Sequence, residues 1–343
     1  MNTILVTGGC GFIGSNFIIN YLNNNPNDSI INLDSLTYAG NLDNLIELKD
    51  NKRYTFIQGD ICDRDLIEDL FIQHDIKDVI HFAAESHVDN SIANPDAFMQ
   101  TNIIGTFNLI DVAKKFWMES SGIYKLDYNK SRFHHVSTDE VYGTLGEEGL
   151  FHETTAYAPN SPYSASKASS DFIVRSYHHT YGMNVVTTNC SNNYGPKQHD
   201  EKLIPVIIRK ALSGEEIPIY GNGKNIRDWL YVIDHCRGIE LAFKKGTSGE
   251  TYNIGGRNER TNIYIAQKIC ESLDIKLPSK SGESYTKQIT YVKDRAGHDY
   301  RYAIDASKIE NQLGWRAKEN FESGIELTID WYIKKYTKLI ETV

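Results

Sequence analysis

The sequence predicts an α/β protein built on a doubly wound parallel sheet, followed by a smaller C-terminal part. Three observations predict it. Six short β-branched or aromatic runs alternate with stretches of helical periodicity, as parallel βαβ units require. The first run leads straight into a glycine turn and a helix. Each run also ends in polar residues, and ligands on such sheets sit beyond the carboxyl ends of the strands.

The runs are "TILVTGG", "SIINLDS", "YTFIQGD", "DVIHFAAES", "RFHHVSTDE" and "MNVVTTNCSN". Helical periodicity is clearest from Phe17 to Asn24 and from Ile103 to Trp117. The polar ends are Gly8-Gly9, Asp34, Asp60, Glu85-Ser86, Thr138-Asp139-Glu140 and Ser191-Asn192, so they should converge on one crevice. After about residue 190 the pattern loosens into "GPKQHDEKLIP", "IPIYGNGKNIRDWLYV" and "KDRAGHDYRYAID", loops rich in Gly, Lys, Arg and Tyr. The expected division is residues 1–190, rejoined by a segment near 228–255, and residues 191–343 as the substrate part. No internal repeat and no low-complexity linker separates them.

At 343 residues the chain can bury a large core, and 40% apolar with 24% charged residues is globular composition. The balance of 36 basic against 45 acidic residues, a net charge of -9, disfavours nucleic acid and anionic membrane as partners. Cys10, Cys62, Cys190, Cys236 and Cys270 are scattered and odd in number, which points to neither a disulfide framework nor a metal site. A reducing cytoplasm fits these cysteines. The chain enters "ILVTGG" with no basic n-region and no long apolar run, so neither a signal peptide nor a membrane span is expected.

"VTGGCGFIGSNF" spaces Gly8, Gly11 and Gly14 three apart between strand and helix. Missing side chains there permit a tight turn, close approach of a pyrophosphate to the backbone and close helix packing, while the helix N-terminus favours the anion. Asp34 ends the next strand about 20 residues on, where a carboxylate accepts from ribose hydroxyls. An acid there repels a 2'-phosphate, so this Rossmann-type turn is expected to hold NAD rather than NADP. Asp60, ending the third run, reads either as a contact to the adenine amino group or as a turn aspartate.

"YSASK" places Tyr163 and Lys167 four apart on a helix, hence on one face. An ammonium beside a phenol favours phenolate, bringing a group of pKa about 10 towards working pH. Tyr163 is then expected to take a hydroxyl proton as hydride leaves the carbon. "VSTDEVYG" adds two adjacent acids, Asp139 and Glu140, for which simple hydride transfer has no use.

With "TGGCGFIGSNF", "LDSLTYAGN", "AAESHVD", "VSTDEVYG", "YSASKASSD", "SNNYGP", "EKLIP", "RDWLYV" and "GHDYRYAID", the chain resembles, over nearly its whole length, the extended short-chain dehydrogenase/reductase superfamily. Within it, the chain looks like the nucleotide-sugar 4,6-dehydratases that act on dTDP-glucose. Related epimerases share the glycine turn and Tyr-x-x-x-Lys but tend to carry small residues at the two acids. The resemblance implies that Thr138 and Tyr163 bind the sugar C4 hydroxyl and Tyr163 removes its proton. Glu140 then abstracts the C5 proton, and Asp139 protonates the departing C6 hydroxyl. Elimination needs one base and one acid around one bond. Consecutive strand residues point to opposite faces, so both acids reach the sugar only if the strand curls at its end.

The resemblance also implies cofactor contacts from Phe12, Ile13, Ser35, Leu36, Thr37, Ile61, Phe82, Ala83, Ala84, Thr101 and Asn193. It implies nucleotide-sugar contacts from Ser86, Asn192, Glu201, Lys202, Leu203, Pro218, Tyr220, Arg227, Asn262, Arg295 and His298, with Arg227 and Arg295 on the diphosphate. A homodimer built on the helix carrying Tyr163 is part of the same expectation. His87 reads equally as structural. Three departures from the family pattern bear on nucleotide preference: Asn90 and Asn189 stand where arginine is usual, and Lys197 to Asp200 lack the usual aromatic and proline residues. Two other readings stay open at this point, a 4,6-dehydratase of a UDP- or CDP-hexose and a non-catalytic NAD sensor on the same fold.

Overall fold

A computed structural model describes residues 2–294 and 299–341, the side chains of 338–341 excepted. All six predicted runs form strands of one parallel sheet: β1 (Asn2–Thr7), β2 (Asp28–Asp34), β3 (Tyr54–Gln58), β4 (Asp78–His81), β5 (Phe133–Thr138) and β6 (Val185–Cys190). A seventh, β7 (Thr251–Ile254), pairs with the outer edge of β6, so the order is β7-β6-β5-β4-β1-β2-β3. The chain builds outward from β1 through β2 to β3, then crosses back to place β4 on the other side of β1. That reversal opens a crevice at the carboxyl ends of β1 and β4, where such sheets bind ligands.

Both faces of the sheet are covered, which is why its strands read as nearly unbroken apolar runs. Helices α1 (Phe12–Asn24) and, from the C-terminal half, Val232–Lys245 bury Phe17, Ile18, Tyr21, Ile239 and Phe243 on one face. Helices Arg64–His74, Thr106–Trp117 and Pro162–Tyr181 bury Phe71, Leu109, Trp117 and Val174 on the other. Each such side chain contributes about 1.5–3 kcal/mol on burial.

A separate core of Ile204, Ile207, Ile265, Ile269, Phe321 and Tyr332 holds the smaller part together. It is framed by helices Leu203–Ser213, Asn262–Lys276 and Phe321–Glu341. Its strands are short. Ile226–Tyr231 pairs with Asn192–Tyr194 and Glu259–Thr261, and Ile217–Tyr220 pairs with Ile289–Val292.

Candidate active site

The glycine turn after β1 has the form its sequence predicts. Gly8 has φ +72°, and a Cβ there would lie 2.6 Å from Ala83 N; a Cβ on Gly14 would lie 2.4 Å from Gly8 O. Those two glycines are required by the protein's own packing. A Cβ on Gly11 would meet only Gly8 O, at 3.3 Å, so that backbone faces the cleft. Gly11 is the N-cap of α1, no side chain caps it, and its first turn holds no acid, which leaves a helix N-terminus suited to an anion.

Asp34 is buried at the end of β2, where Oδ2 accepts from Cys10 N at 2.8 Å and Oδ1 from Leu36 N at 2.8 Å. A carboxylate has lone pairs beyond these two bonds, and Asp34 lines the cleft with Gly8, Gly11 and Gly14. Phe12, Ile13, Ser35, Thr37, Ile61, Phe82, Ala83, Ala84, Thr101 and Asn193 line it too, but Leu36 does not. Leu36 instead turns the chain, at φ +53°. Asp60 makes a turn, its Oδ1 accepting from Cys62 N at 2.8 Å, and the residue also lines the cleft.

The catalytic candidates meet at the other end of this cleft. Strand β5 stops at Thr138, and residues Asp139–Tyr142 wind directly into a 3-10 turn, with Thr138 Oγ1 accepting from Glu140 N at 3.3 Å. This is the curl the adjacent acids need, and Thr138, Asp139 and Glu140 all line the cleft. Facing them, the helix Pro162–Tyr181 begins with a capping box between Ser161 and Ser164 and with Pro162 at its start. That start sets Tyr163 in the first turn, with the Thr138 side chain as a favourable influence on its phenol.

The electrostatics distinguish the two acids. Asp139 is 2% exposed, and its Oδ2 is buried with no hydrogen-bond partner among the described residues. Burial first, then the Glu140 and Asp228 carboxylates, push Asp139 well above the usual carboxylate range, which favours its protonated form. Glu140 is half-buried, at the mouth of the same turn.

For Tyr163 the surrounding protein opposes ionisation. Burial, the Glu140 carboxylate and the Cys190 thiol raise its phenol well above the ordinary value, and the Thr138 side chain offsets this only in part. The leading charge influences on the phenol come from Glu140 and Cys190 rather than from Lys167. The lysine shares the helix face but donates Nζ to Val136 O at 2.9 Å, and burial lowers its pKa. Spacing put the two side chains together; the fold directed the ammonium at the strand.

The nucleotide-sugar candidates divide. Ser86, Asn192, Glu201 and Lys202 line the cleft, and Lys202 Nζ reaches Ser86 O at 3.4 Å. Leu203, Pro218, Tyr220, Arg227 and Asn262 are not among its described lining residues. Arg227 is buried behind it, its guanidinium on the carbonyls of Ile226 (2.7 Å) and Asp299 (3.0 Å) and 4.3 Å from the Tyr302 ring. Arg295 and His298 lie outside the described residues. His87 caps the short helix Val88–Ala93, with Nδ1 accepting from Asn90 N at 3.3 Å, and its Nε2 lies 3.8 Å from Glu201.

Among the departures, Asn90 is exposed, and Asn189 is fully buried, donating to Tyr142 OH at 2.9 Å. Lys197 bonds Asn44 O at 2.7 Å, and the His199 ring meets Tyr38 edge-on, its centroid 5.7 Å away. Gln198 and His199 line the cleft without having been singled out as ligands. So do Ser137, Cys190 and Ser191, whose only signal was their place at strand ends. Asp171 was missed although it sits in the quoted "YSASKASSD", four residues past Lys167. No group of three or more metal-ligating side chains occurs among the described residues.

A glycine cradle, a Tyr-x-x-x-Lys pair and two acids on one curled strand end define a dinucleotide-dependent sugar-modifying protein of the extended short-chain dehydrogenase/reductase class. Comparison with known proteins agrees and is more specific. The family model described as GDP-mannose 4,6 dehydratase matches residues 5–328. A dTDP-glucose 4,6-dehydratase of Xanthomonas campestris pv. campestris (strain B100) is 54% identical over 98% of this chain and 95% of its own length. Among solved structures, the dTDP-glucose 4,6-dehydratase of Bacillus anthracis str. Ames in complex with NAD superposes with a TM-score of 0.86 at 44% identity, covering 98% of each chain. That of Streptomyces venezuelae, with NAD and TYD bound, gives 0.88 at 43% identity over 98% of each chain. The chain belongs to the dTDP-glucose 4,6-dehydratase family.

Proposed function

We propose that this protein dehydrates dTDP-glucose to dTDP-4-keto-6-deoxyglucose, as an NAD-dependent hydro-lyase. The observation that carries the reading is Asp139: a buried carboxyl with a free oxygen, beside Glu140, in the cleft that also holds Tyr163. A non-catalytic NAD sensor has no use for such a group, and leaving it buried without a partner costs stability.

NAD, when bound, would supply a reversible hydride acceptor for the sugar. Gly8, Gly11 and Gly14 with the N-terminus of α1 would hold its pyrophosphate, and Asp34 its ribose hydroxyls. Tyr163, with the Thr138 side chain favouring its ionisation, takes the proton of the C4 hydroxyl. The ketone at C4 acidifies C5, Glu140 removes that proton, and Asp139 gives its own to the C6 hydroxyl, which leaves as water. A proton returns to C5, and with the hydride that NAD would return to C6 the reaction carries no net redox change.

On this reading residues 1–190 with 228–255 hold the cofactor and residues 191–343 the nucleotide, with Arg227, Arg295 and His298 towards the diphosphate and sugar. The charge of -9 and five free cysteines support a cytoplasmic enzyme without nucleic-acid partners. No helix among the described residues is long and apolar enough to cross a membrane. Ile104, Phe107 and Phe172 are large exposed side chains on or next to the helices Thr106–Trp117 and Pro162–Tyr181, which supports a homodimer through that face. Sedimentation at equilibrium tests it.

The decisive experiment incubates the purified protein with dTDP-, UDP- and CDP-glucose and identifies products by NMR. A 4-keto-6-deoxy product from dTDP-glucose without added NAD is expected. The same product from UDP- or CDP-glucose alone would reassign the nucleotide. Accumulation of free NADH equal to substrate consumed would make the protein an ordinary dehydrogenase.

A further inference from the structure

One helical turn beyond Lys167 lies Asp171, a carboxylate for which the reaction scheme has no task. It is 5% exposed, and neutral donors occupy its oxygens. Oδ1 accepts from His135 Nε2 at 3.0 Å, and Oδ2 from Ser137 Oγ at 3.0 Å and Tyr157 OH at 2.9 Å. Burial and the Lys167 charge hold His135 well below the usual histidine range, so its imidazole donates as a neutral ring. Among the described residues no lysine or arginine forms an ion pair with this carboxylate. A buried charge so placed is costly unless an opposite charge stands close.

The charge it faces is Lys167. That side chain is 4% exposed, its Nζ is bonded to a main-chain carbonyl, and burial favours its neutral form. Asp171 is the leading opposing influence, ahead of the Cys190 thiol. Reciprocally, Lys167 is the strongest influence restraining Asp171, whose pKa burial raises to about 6. The other titratable groups facing the lysine, His81 and His135, are kept neutral by burial and add no charge.

We propose that Asp171 is a positioning residue for the oxidation step: anchored by His135, Ser137 and Tyr157, its carboxylate keeps the buried Lys167 in the ammonium form. The inference rests on Tyr163 and Lys167 being the oxidation pair. Without the Asp171 charge, Lys167 loses its proton more readily and the Tyr163 phenol becomes harder to ionise. The acid limb of the oxidation half-reaction then moves to higher pH.

The test is the pH dependence of enzyme-bound NADH formation after mixing with dTDP-glucose, before steady state. Asp171→Asn keeps shape and hydrogen-bonding capacity and removes the charge. Its acid limb should rise by about one pH unit, with roughly tenfold slower oxidation near neutrality. Tyr157→Phe removes a hydrogen bond and keeps the charge, so its limb should stay within about 0.3 unit of the parent. In a Lys167→Met background, Asp171→Asn should change the remaining rate by less than about twofold, because coupled groups are not additive. A parental limb in Asp171→Asn, or the same fractional loss in both backgrounds, overturns the proposal and leaves the oxidation pair standing. Parental oxidation by Lys167→Met removes the pair and the proposal with it. If Asp171→Asn alone does not fold, the double variant decides: recovery of folded, NAD-retaining protein supports the charge coupling, and failure of both variants overturns it.

Discussion

Replacing Asp139 with Asn changes one proton and almost nothing else. The parent carboxyl is buried, and burial, Glu140 and Asp228 favour its neutral form, so a neutral amide of the same shape meets similar surroundings. Its Oδ2 makes no hydrogen bond that the amide nitrogen would break. The fold and NAD content should therefore match the parent. What disappears is the proton for the C6 hydroxyl, and removing one positioned acid slows a reaction by about 10²- to 10⁴-fold, or roughly 3 to 5 kcal/mol of barrier.

The assay separates the half-steps. In deuterated water with dTDP-glucose, Asp139→Asn should form enzyme-bound NADH and exchange the C5 proton, because Tyr163 and Glu140 remain, while 4-keto-6-deoxy product appears slowly. Glu140→Gln should form NADH and show little exchange. The parent's elimination should be flat through mildly acidic pH and fall on the alkaline side, as Asp139 loses the proton that burial made it keep; Asp139→Asn should lack that alkaline fall. Exchange abolished in Asp139→Asn and preserved in Glu140→Gln would reverse the two roles. Full turnover in both variants would mean the pair is structural and would refute the dehydration scheme.

The other predictions concern the rest of the cleft and the core. Asp34→Ala removes a carboxylate that also anchors Cys10 N and Leu36 N; NAD binding should weaken by about 10- to 100-fold and the gap to NADP should narrow, and an unchanged preference in a competition assay would move the ribose role elsewhere. Arg227→Ala should raise the substrate concentration required, by about 1.5 to 3 kcal/mol in dTDP binding measured calorimetrically. It should also lower the melting temperature, because that guanidinium is buried against Ile226 O, Asp299 O and the Tyr302 ring. Unaltered dTDP affinity would remove Arg227 from the site. Asp78, buried between Asn2 and Arg132 N, has a folded pKa of about 6 against 3.8. Its contribution to stability is therefore complete below about pH 4 and is lost as pH rises through about 6, roughly 3 kcal/mol in all. Denaturant midpoints should show the parent falling behind Asp78→Asn over that window, and parallel pH curves would contradict the shift.

The Tyr163 phenol illustrates how spacing and charge separate. A spacing of four from Tyr163 to Lys167 places both on one helix face, and the structure keeps them there. The charge that reaches the phenol, however, comes from Glu140 on a different element, and it opposes ionisation. The protein's contribution toward phenolate is the Thr138 side chain together with the Lys167 ammonium one helical turn away.

The sequence by itself determined the features that one short stretch encodes: the six runs of the sheet, the glycine turn with Asp34 after the next strand, the Tyr163–Lys167 face, and the presence of two acids after Thr138. Periodicity, turn chemistry and i,i+4 spacing act over a few residues and survive without knowledge of neighbours. Tertiary structure decided the rest. It placed Thr251–Ile254, within the 228–255 segment expected to rejoin the first part, on the sheet edge against Val185–Cys190, because which strand an edge strand pairs with is set by residues far away in the chain. It wound Asp139–Tyr142 into a 3-10 turn and buried one acid while leaving its neighbour half-exposed, the difference in burial that the proposed acid and base roles rest on. It laid Arg227 on main-chain carbonyls behind the cleft and set Asp171 among His135, Ser137 and Tyr157. A group's protonation depends on how much water it loses and which charges surround it, and both come from residues far away in the chain.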